Sequence, residues 1–600
     1  MIFPSKRGWL FAGVSLFAFV ALSHPAFSET GERPRQVRPA PVEGTLHAAP
    51  EKATSALWRS HIWEVFPADR IGGVQSDPVS EAYQQNDWRP FFIDSQFDLN
   101  ERAKLVINRL GSLRDEAIDP QPYKLDELNN AADKLTRSRA ALKALVPAPK
   151  DTAADALLAE PPPSPAPAQA ANGGVRAPAP SPTPEQILAE RNRKIERYQD
   201  TFKAAAELDV SLAAAFALYA REMNPFAGEE LVKALSGEIP AAKMLKDFEP
   251  ASPHYHVLIA AYARYRELAE TASQQRYGGS GSLRPGQSGN HVRDLQKRLQ
   301  QEGFYSGHIT GVYDAETQKG VKAFQAMHLV EPDGVVGRGT TDWLNVSFRE
   351  KAEMIALAMK AMRQSSTRKH ERFVRINIPQ FMLEYHKDGK IEETHRVVVG
   401  KATGKKVKFR GRLVGENQTP TLAGAIEQVI LNPRWYVSDR IRLELNSEAK
   451  SDPEWFARHG YVQMASAYPW GEPRIFQRPG PNNALGRVKF EFPNVYAVYL
   501  HDTPKKHLFQ RTRRDFSHGC IRVDKALQLA ETLLNDDKNP YAQKIAPILG
   551  GQNQTFVRLS QPVPILIEYV PVSSNGNGQV LFLGDPYGIL KEERIMSSQR

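Results

Sequence analysis

At Phe373 the chain changes its period. Before that point apolar side chains recur every three to four residues, as in Glu101 to Leu113, where Leu105, Val106, Leu110 and Leu113 follow helical spacing. After it they alternate. Arg375-Ile376-Asn377-Ile378, Phe381-Met382-Leu383-Glu384-Tyr385 and Arg396-Val397-Val398-Val399 read as strands, and Lys387-Asp388-Gly389-Lys390 reads as a hairpin turn of the Asp-Gly kind. A helical stripe and a strand face are different geometries, so the chain has to build at least one helical body and one β-rich body. Its 600 residues leave room for about three to four domains.

Compositional breaks divide the helical part. Pro161-Pro162-Pro163-Ser164-Pro165-Ala166-Pro167, with more Pro, Ala and Ser to about residue 184, is low-complexity and expected to be disordered. Helical patterning on both sides makes this a Pro/Ala-rich insert at about 146–184 within one helical scaffold, 56–277. Gly278-Gly279-Ser280-Gly281-Ser282 is a linker. Residues 283–345 then form a compact unit of three helices. Val292, Leu295 and Leu299 stripe the first, which Gly303 ends; Asp314 is placed to cap the second, striped by Val321, Phe324 and Met327; a short third ends near Leu344.

The β-rich domain is expected over 373–572, sandwich-like or barrel-like, with further strands at Gln428 to Leu431 and Val495 to His501 and one helix at Lys525 to Leu534. Ile565 to Tyr569 and Val580 to Leu583 bracket Asn575-Gly576 as a hairpin, and 573–600 form a C-terminal hairpin and tail. Between Arg434 and Gly480 the alternation breaks. This segment, rich in Trp, Tyr and Arg, reads as a capping insert at about 434–480, a lid candidate. The expected class is multidomain α+β.

The first residues bear on compartment. Lys6 and Arg7 precede the apolar run Trp9 to Leu22, which is shorter than the ~20 residues a bilayer span needs. Ala26-Phe27-Ser28 follows with small-x-small spacing, so 1–28 read as a signal peptide and 29–55 as a flexible tether. The expectation is export to the periplasm with no stable membrane span after cleavage; the alternative is an uncleaved inner-membrane anchor. The net charge of +10 suggests a polyanionic partner, and export puts cell-wall polymer or anionic lipid ahead of nucleic acid; because the charges are scattered rather than blocked, a solvated surface is the alternative.

Export gives weight to the single cysteine, Cys520. It has no partner in the chain for a disulfide, and an unpaired thiol in an oxidising compartment is exposed to oxidation. Its retention in Ser517-His518-Gly519-Cys520-Ile521-Arg522 points to a nucleophile. Such a thiol needs a base, and His501, at the end of an expected strand, and His518 both qualify. Gly519 permits backbone angles that turn the amides of Gly519 and Cys520 toward an oxyanion, and Arg522 is suited to a substrate carboxylate. Most histidines are isolated, so no metal or organic cofactor is expected.

These residues carry a resemblance. His501, fifteen residues and then Ser517-His518-Gly519-Cys520 resemble the signature of the L,D-transpeptidases, the YkuD-type catalytic domain. The resemblance implies Cys520 as nucleophile, His501 as general base and the backbone carbonyl of Asp502 as the group orienting His501. It implies a pocket shaped by Ser517, His518, Gly519, Arg522 and Tyr499. The chain has His-Asp-Thr where His-Gly-Thr is frequent in that family. Gln477 to Phe490 and Tyr499 to Pro504 resemble the large Gram-negative subgroup typified by YcbB, with the same order of helical scaffold, wall-binding module and capped catalytic domain. Gly311-Val312-Tyr313-Asp314, Thr317 and Val321 to Gln325 resemble the peptidoglycan-binding domain type 1. The function implied is formation of 3→3 cross-links between peptidoglycan stem peptides through a cysteine thioester, and carbapenems would acylate the same thiol. An L,D-carboxypeptidase, a D-amino-acid exchange enzyme, an enzyme attaching an outer-membrane protein, and a wall-binding structural protein are the alternatives.

Overall fold

The computed structural model describes residues 78–145 and 182–589, with Trp58, His61 and Ile62, apart from short gaps at 251, 274–275, 280, 410–411, 450–451, 453, 465–473 and 576–577. The expected signal peptide, tether and Pro/Ala-rich insert fall outside the described residues up to residue 181. No helix among the described residues is long and apolar enough to cross a membrane.

Helical spacing is realised as expected before residue 373. Glu101–Gly111 is a helix capped by Asn100, whose side chain accepts from the Ala103 N–H, and its buried residues are Ala103, Val106 and Leu110. Leu125–Leu145 buries Leu128, Leu135 and Leu142 at intervals of seven, and its main partner is the 40-residue helix Pro184–Met223. That long helix opens with Thr183 and Gln186 in a capping box. A buried carboxylate on it, Asp209, accepts from the Tyr83 hydroxyl (2.5 Å) and from the N–H groups of Phe91 (3.1 Å) and Phe92 (2.7 Å).

The three-helix unit is Asn290–Gln301, Ala315–Met327 and Arg338–Leu344 around Val292, Leu295, Leu299, Tyr313, Val321 and Phe324. Asp314 caps the second helix through the Thr317 N–H at 2.8 Å. Met327 leaves this core and packs on the scaffold cluster instead. Buried charges mark the same junction. Glu302 of the unit meets Lys351 of the helix Phe348–Arg363 at 2.6 Å and Arg298 at 3.1 Å, and accepts from the Tyr265 hydroxyl at 2.9 Å.

Nine strands form the main sheet of the β-rich domain: β1 Arg372–Asn377, β2 Met382–Lys387, β3 Lys390–Gly400, β4 Leu422–Leu431, β5 Val488–Glu491, β6 Leu500–His501, β7 Asp515–Ser517, β8 Ile521–Val523 and β9 Thr555–Glu568. Their hydrogen-bonded order is β3-β8-β6-β5-β4-β9-β1-β2, and β2 pairs back onto β3, so eight strands close into a ring while β7 lies parallel on β3. Closure leaves this part of the sheet without a free edge. Asp388 and Gly389, at φ 50° and 76°, make the expected hairpin turn. The apolar face carries Val374, Val397, Val429, Val488, Phe490, Leu500 and Ile521, packed with Leu529 and Leu533 of the helix Ala526–Asp536. The insert folds as the helix Asp439–Ala449, a turn of helix at Trp455–Arg458, and a small sheet ordered Trp435–Tyr436, Arg474–Gln477, Tyr461–Met464.

Two strand expectations need correction. Val495 to Tyr499 is a loop, and β6 has only two residues. The Asn494 amide donates to the carbonyls of Phe492 (2.9 Å) and Val498 (2.7 Å), and its oxygen accepts from the N–H groups of Tyr496 and Val498 at 3.1 Å each. These bonds compete with a ladder. Ala497 sits at φ 53°, which no strand uses. The C-terminal hairpin pairs Val572–Ser574 with Val580–Phe582, while Ile565 to Glu568 belong to β9. Val570, Val572, Val580 and Phe582 pack in the scaffold core, so the end of the chain returns to the helical body.

Candidate active site

Strand alternation builds the site. Leu500, Ile521 and Phe490 face the core, so their neighbours His501, Arg522 and Lys489 face the other way. Register aligns them: Lys489 of β5 lies directly opposite His501 of β6, and His501 lies beside Arg522 of β8. The Ile521 N–H donates to the Tyr499 carbonyl at 3.1 Å, which puts Cys520 next to Tyr499. The result is a row across three strands, with a cation on each side of the histidine and the thiol diagonal to it.

The His501 ring is buried, and its Nδ1 lies 2.5 Å from the Asp502 carbonyl. A carbonyl can only accept, so Nδ1 carries the proton and Nε2 is left as the basic nitrogen. Burial, with the Arg522 and Lys489 cations, lowers the imidazole to about 3, although the Asp502 hydrogen bond pulls the other way. The half-buried Cys520 thiol is pushed above its usual value by burial, and hydrogen bonds from Tyr499 and the same two cations offset only part of that. The resting pair is therefore a neutral thiol and a neutral imidazole.

The turn before the thiol is locked from several directions. The Ser517 hydroxyl donates to the Cys520 carbonyl (2.6 Å) and accepts from the Gly519 N–H (3.1 Å). Of the two amides assigned to an oxyanion, the Gly519 one is thus engaged in this structure. Gly519 lies at φ 118°, which favours glycine, and a Cβ there would meet the Gln418 carbonyl at 3.6 Å. The Gly519 carbonyl accepts from the Thr419 hydroxyl (2.8 Å), and that hydroxyl accepts from the Gly400 N–H (2.8 Å). The Tyr587 hydroxyl then donates to the Gly400 carbonyl (2.8 Å) and accepts from the Thr419 N–H (3.1 Å). Thr419 and Tyr587 escape sequence reading because no spacing ties them to Cys520. Lys489 escapes because its role depends on register.

The Asp at 502 has a structural reason. Its carboxylate accepts from the Arg487 N–H at 2.9 Å and pairs with Lys506. Gly486, at φ 60°, leaves the space, since a Cβ there would collide with that carboxylate. The side chain is held away from His501 while the backbone carbonyl orients the ring. His518 has a different partner: its Nε2 lies 3.1 Å from a carboxylate oxygen of Glu444, on the helix Asp439–Ala449 of the insert. Arg522 keeps a buried Nε without a hydrogen-bond partner among the described residues.

Two clefts flank this centre. One, of about 360 Å³, opens on the Lys489 side between β4, β5 and the 492–499 loop, and is lined by Glu427, Gln428, Lys489, Glu491, Asn494 and Tyr499 among others. The other, of about 370 Å³, lies beside the insert helix, lined by Lys401, Thr403, Glu416, Asn417 and Glu444. Among the described residues no group of three or more His, Cys, Asp or Glu side chains is placed to hold a metal ion.

Parts of the chain match known protein families. Residues 371–555 match the YkuD family model, the L,D-transpeptidase catalytic domain; residues 288–344 match the family described as "Putative peptidoglycan binding domain"; residues 77–160 match a scaffold domain. A Haemophilus influenzae protein described as "Putative L,D-transpeptidase" is 30% identical over 246 residues, 39% of this chain and 47% of that protein. The chain thus spans about half the length of the curated relative it matches. A crystal structure of an L,D-transpeptidase from Xylanimonas cellulosilytica is 18% identical, covering 48% of this chain and 98% of that one, with a TM-score of 0.17. One from Stackebrandtia nassauensis is 15% identical, covering 51% and 100%, also with a TM-score of 0.17. Scores of that size carry no weight in the reading of the site. The chain carries an L,D-transpeptidase catalytic domain joined to a peptidoglycan-binding domain.

Proposed function

We propose that the protein forms 3→3 cross-links between peptidoglycan stem peptides by cysteine acyl transfer. The observation that carries the reading is the His501 tautomer. With Nδ1–H given to the Asp502 carbonyl, Nε2 is the basic nitrogen on the face that also carries the thiol. Cys520 attacks the carbonyl of the third stem residue as its proton passes to Nε2. The tetrahedral oxyanion takes the Cys520 N–H, with Gly519 and Ser517 shaping the turn that presents it. Collapse breaks the peptide bond, and the Nε2 proton leaves with the terminal D-alanine amine. The amine of a second stem attacks the thioester, its proton goes to Nε2, the C–S bond breaks, and the thiolate recovers that proton.

The wall-binding unit at 283–345 would hold glycan, and the insert with its Glu444–His518 contact would cap the bound stem. The N-terminal pattern supports export to the periplasm, and the resemblances at Gln477 to Phe490 and Tyr499 to Pro504, with the domain order, support membership of the YcbB-like subgroup. The test is incubation with purified tetrapeptide muropeptides, read by mass spectrometry. The wild type yields 3→3 dimers with loss of D-alanine, and Cys520→Ala yields none; dimers from that variant refute the assignment. Tripeptide alone would mean a carboxypeptidase, and exchanged D-amino acid an exchange enzyme. Carbapenem incubation adds the drug mass at Cys520.

A further inference from the structure

The mechanism leaves Lys489 unused, yet it stands in the row that contains the reacting groups. Reading across the strands, the order is Cys520 ahead of β8, His501 on β6 and Lys489 on β5. Directly opposed side chains in an antiparallel pair lie about 5 Å apart at Cβ, so Lys489 is the immediate neighbour of the base. Its ammonium lies 4.3 Å from the Tyr499 ring centroid and 2.7 Å from Glu491, which Gln428 also holds. It lines the cleft on the far side of His501 from Arg522.

The chemistry of the two half-reactions, taken as proposed above, explains why a cation belongs there. The departing group is a D-amino acid: an amine on a carbon that also bears a carboxylate. The attacking stem presents the same unit if its amine sits on a D-configured carbon with a free carboxylate. Departure and attack follow the same path at the acyl carbon in opposite directions, so one subsite serves both. Along that path the acyl carbon lies at the thiol, the amine nitrogen at His501 Nε2 and the carboxylate one carbon further on. On the side of His501 away from Arg522, the next group in the row is Lys489.

We propose that Lys489 is a specificity-determining residue that receives the α-carboxylate of the D-amino-acid unit, both leaving and attacking, in exchange for its resting ion pair with Glu491. Water has no carboxylate, so the subsite favours aminolysis over hydrolysis. It also leads to the expectation that free D-amino acids serve as acceptors. The transfer itself is unchanged: the C–S bond breaks, the C–N bond forms, and the amine proton passes through His501 to the thiolate.

The test uses the full chain, a tetrapeptide muropeptide donor and two acceptors, D-methionine and D-methioninamide, which differ in the carboxylate. The quantity read is the ratio of their acceptor kcat/KM values, compared between variants in one buffer so that amine basicity cancels. A charge-assisted hydrogen bond is worth about 1.5–3 kcal/mol, roughly 10–150-fold. Lys489→Met should lower kcat/KM for D-methionine by that factor, mainly through KM, and collapse the ratio toward that of the amide. Lys489→Arg should restore the preference. A ratio in Lys489→Met equal to wild type, or in Lys489→Gln should the first variant not fold, overturns the inference while the acyl-enzyme at Cys520 leaves the proposed function standing. A wild type that takes acid and amide alike overturns it as well. Failure of the donor to acylate wild-type Cys520 overturns both.

Discussion

Titration of the thiol is the sharpest probe of the site, because burial and the two flanking cations bear directly on its resting protonation state. The imidazole is lowered to about 3 and the thiol is raised above its usual value. Moving the proton from Sγ to Nε2 before attack crosses a gap of about 5 units from an ordinary thiol near 8.5, about 7 kcal/mol at 1.36 kcal/mol per unit, of which the attraction between the two new charges returns a part. The thiolate–imidazolium pair is then a minor species of the resting enzyme. Proton transfer must accompany carbon–sulfur bond formation, as general-base catalysis rather than attack by a preformed thiolate. The assay is the far-ultraviolet thiolate absorbance of wild type minus Cys520→Ala, with the rate of iodoacetamide alkylation over the same titration. The difference spectrum should stay flat from about pH 5 to about pH 8 and rise only in the alkaline range. Alkylation should climb about tenfold per pH unit up to that rise, without an acid-side plateau. A thiolate band at neutral pH that vanishes in Cys520→Ala would refute the neutral pair and the reasoning from burial and the two cations.

Three further outcomes follow from particular contacts. Because His501 is held neutral in the fold, the unfolded chain takes up its proton first as pH falls; this contribution to stability is complete above about pH 6.5 and is lost by up to about 1.4 kcal/mol per unit toward about pH 3, so His501→Gln should flatten that part of a urea-denaturation series. Glu302→Gln leaves Lys351 and Arg298 buried without their anion and should cost about 3–5 kcal/mol, less at alkaline pH because Lys351 is already lowered to about 8; a loss under about 1 kcal/mol in denaturant melts would contradict the burial argument. Gly486→Ala and Gly460→Ala both add a Cβ at positive φ, but only the first meets the Asp502 carboxylate; carbapenem acylation should slow in Gly486→Ala and hold in Gly460→Ala, and equal rates would mean that the carboxylate does not support the 501–502 peptide.

The sequence carried the fold wherever one local rule decided the outcome. The helical stripes around Leu295 and Phe324, the Asp314 cap and the Asp388-Gly389 turn are each set by neighbours within a few residues. What escaped depends on partners far along the chain. Val495 to Val498 has the composition of a strand, yet the Asn494 side chain takes the backbone groups a ladder would need. The closing hairpin has strand composition too, and its partner is decided by the apolar space the scaffold offers Phe582, which stacks on His328 at 5.4 Å. The site divides in the same way. Cys520 and its motif are contiguous and legible, and His501 came through resemblance. Lys489, Thr419 and Tyr587 reach the centre only through register and loop packing.

That division bears on how the thiol is positioned. Cys520 precedes a strand of only three residues, and His501 ends one of two. Ladders this short orient a side chain weakly by themselves. The alignment comes from the connections around them. Ser517 closes the turn on both Gly519 and Cys520, Thr419 and Tyr587 tie that turn to Gly400 at the end of β3, and the carboxylate of Asp502 is clamped by Arg487 and Lys506. The Tyr587 hydroxyl comes 67 positions after Cys520, yet it bonds both Gly400 at the end of β3 and the backbone of Thr419 in the loop before β4. A buried hydroxyl with two partners contributes about 1–3 kcal/mol. Its loss therefore falls on the geometry of the motif as well as on stability, because the backbone groups it leaves unpaired belong to Gly400 and Thr419, and the Thr419 hydroxyl is what holds the Gly519 carbonyl.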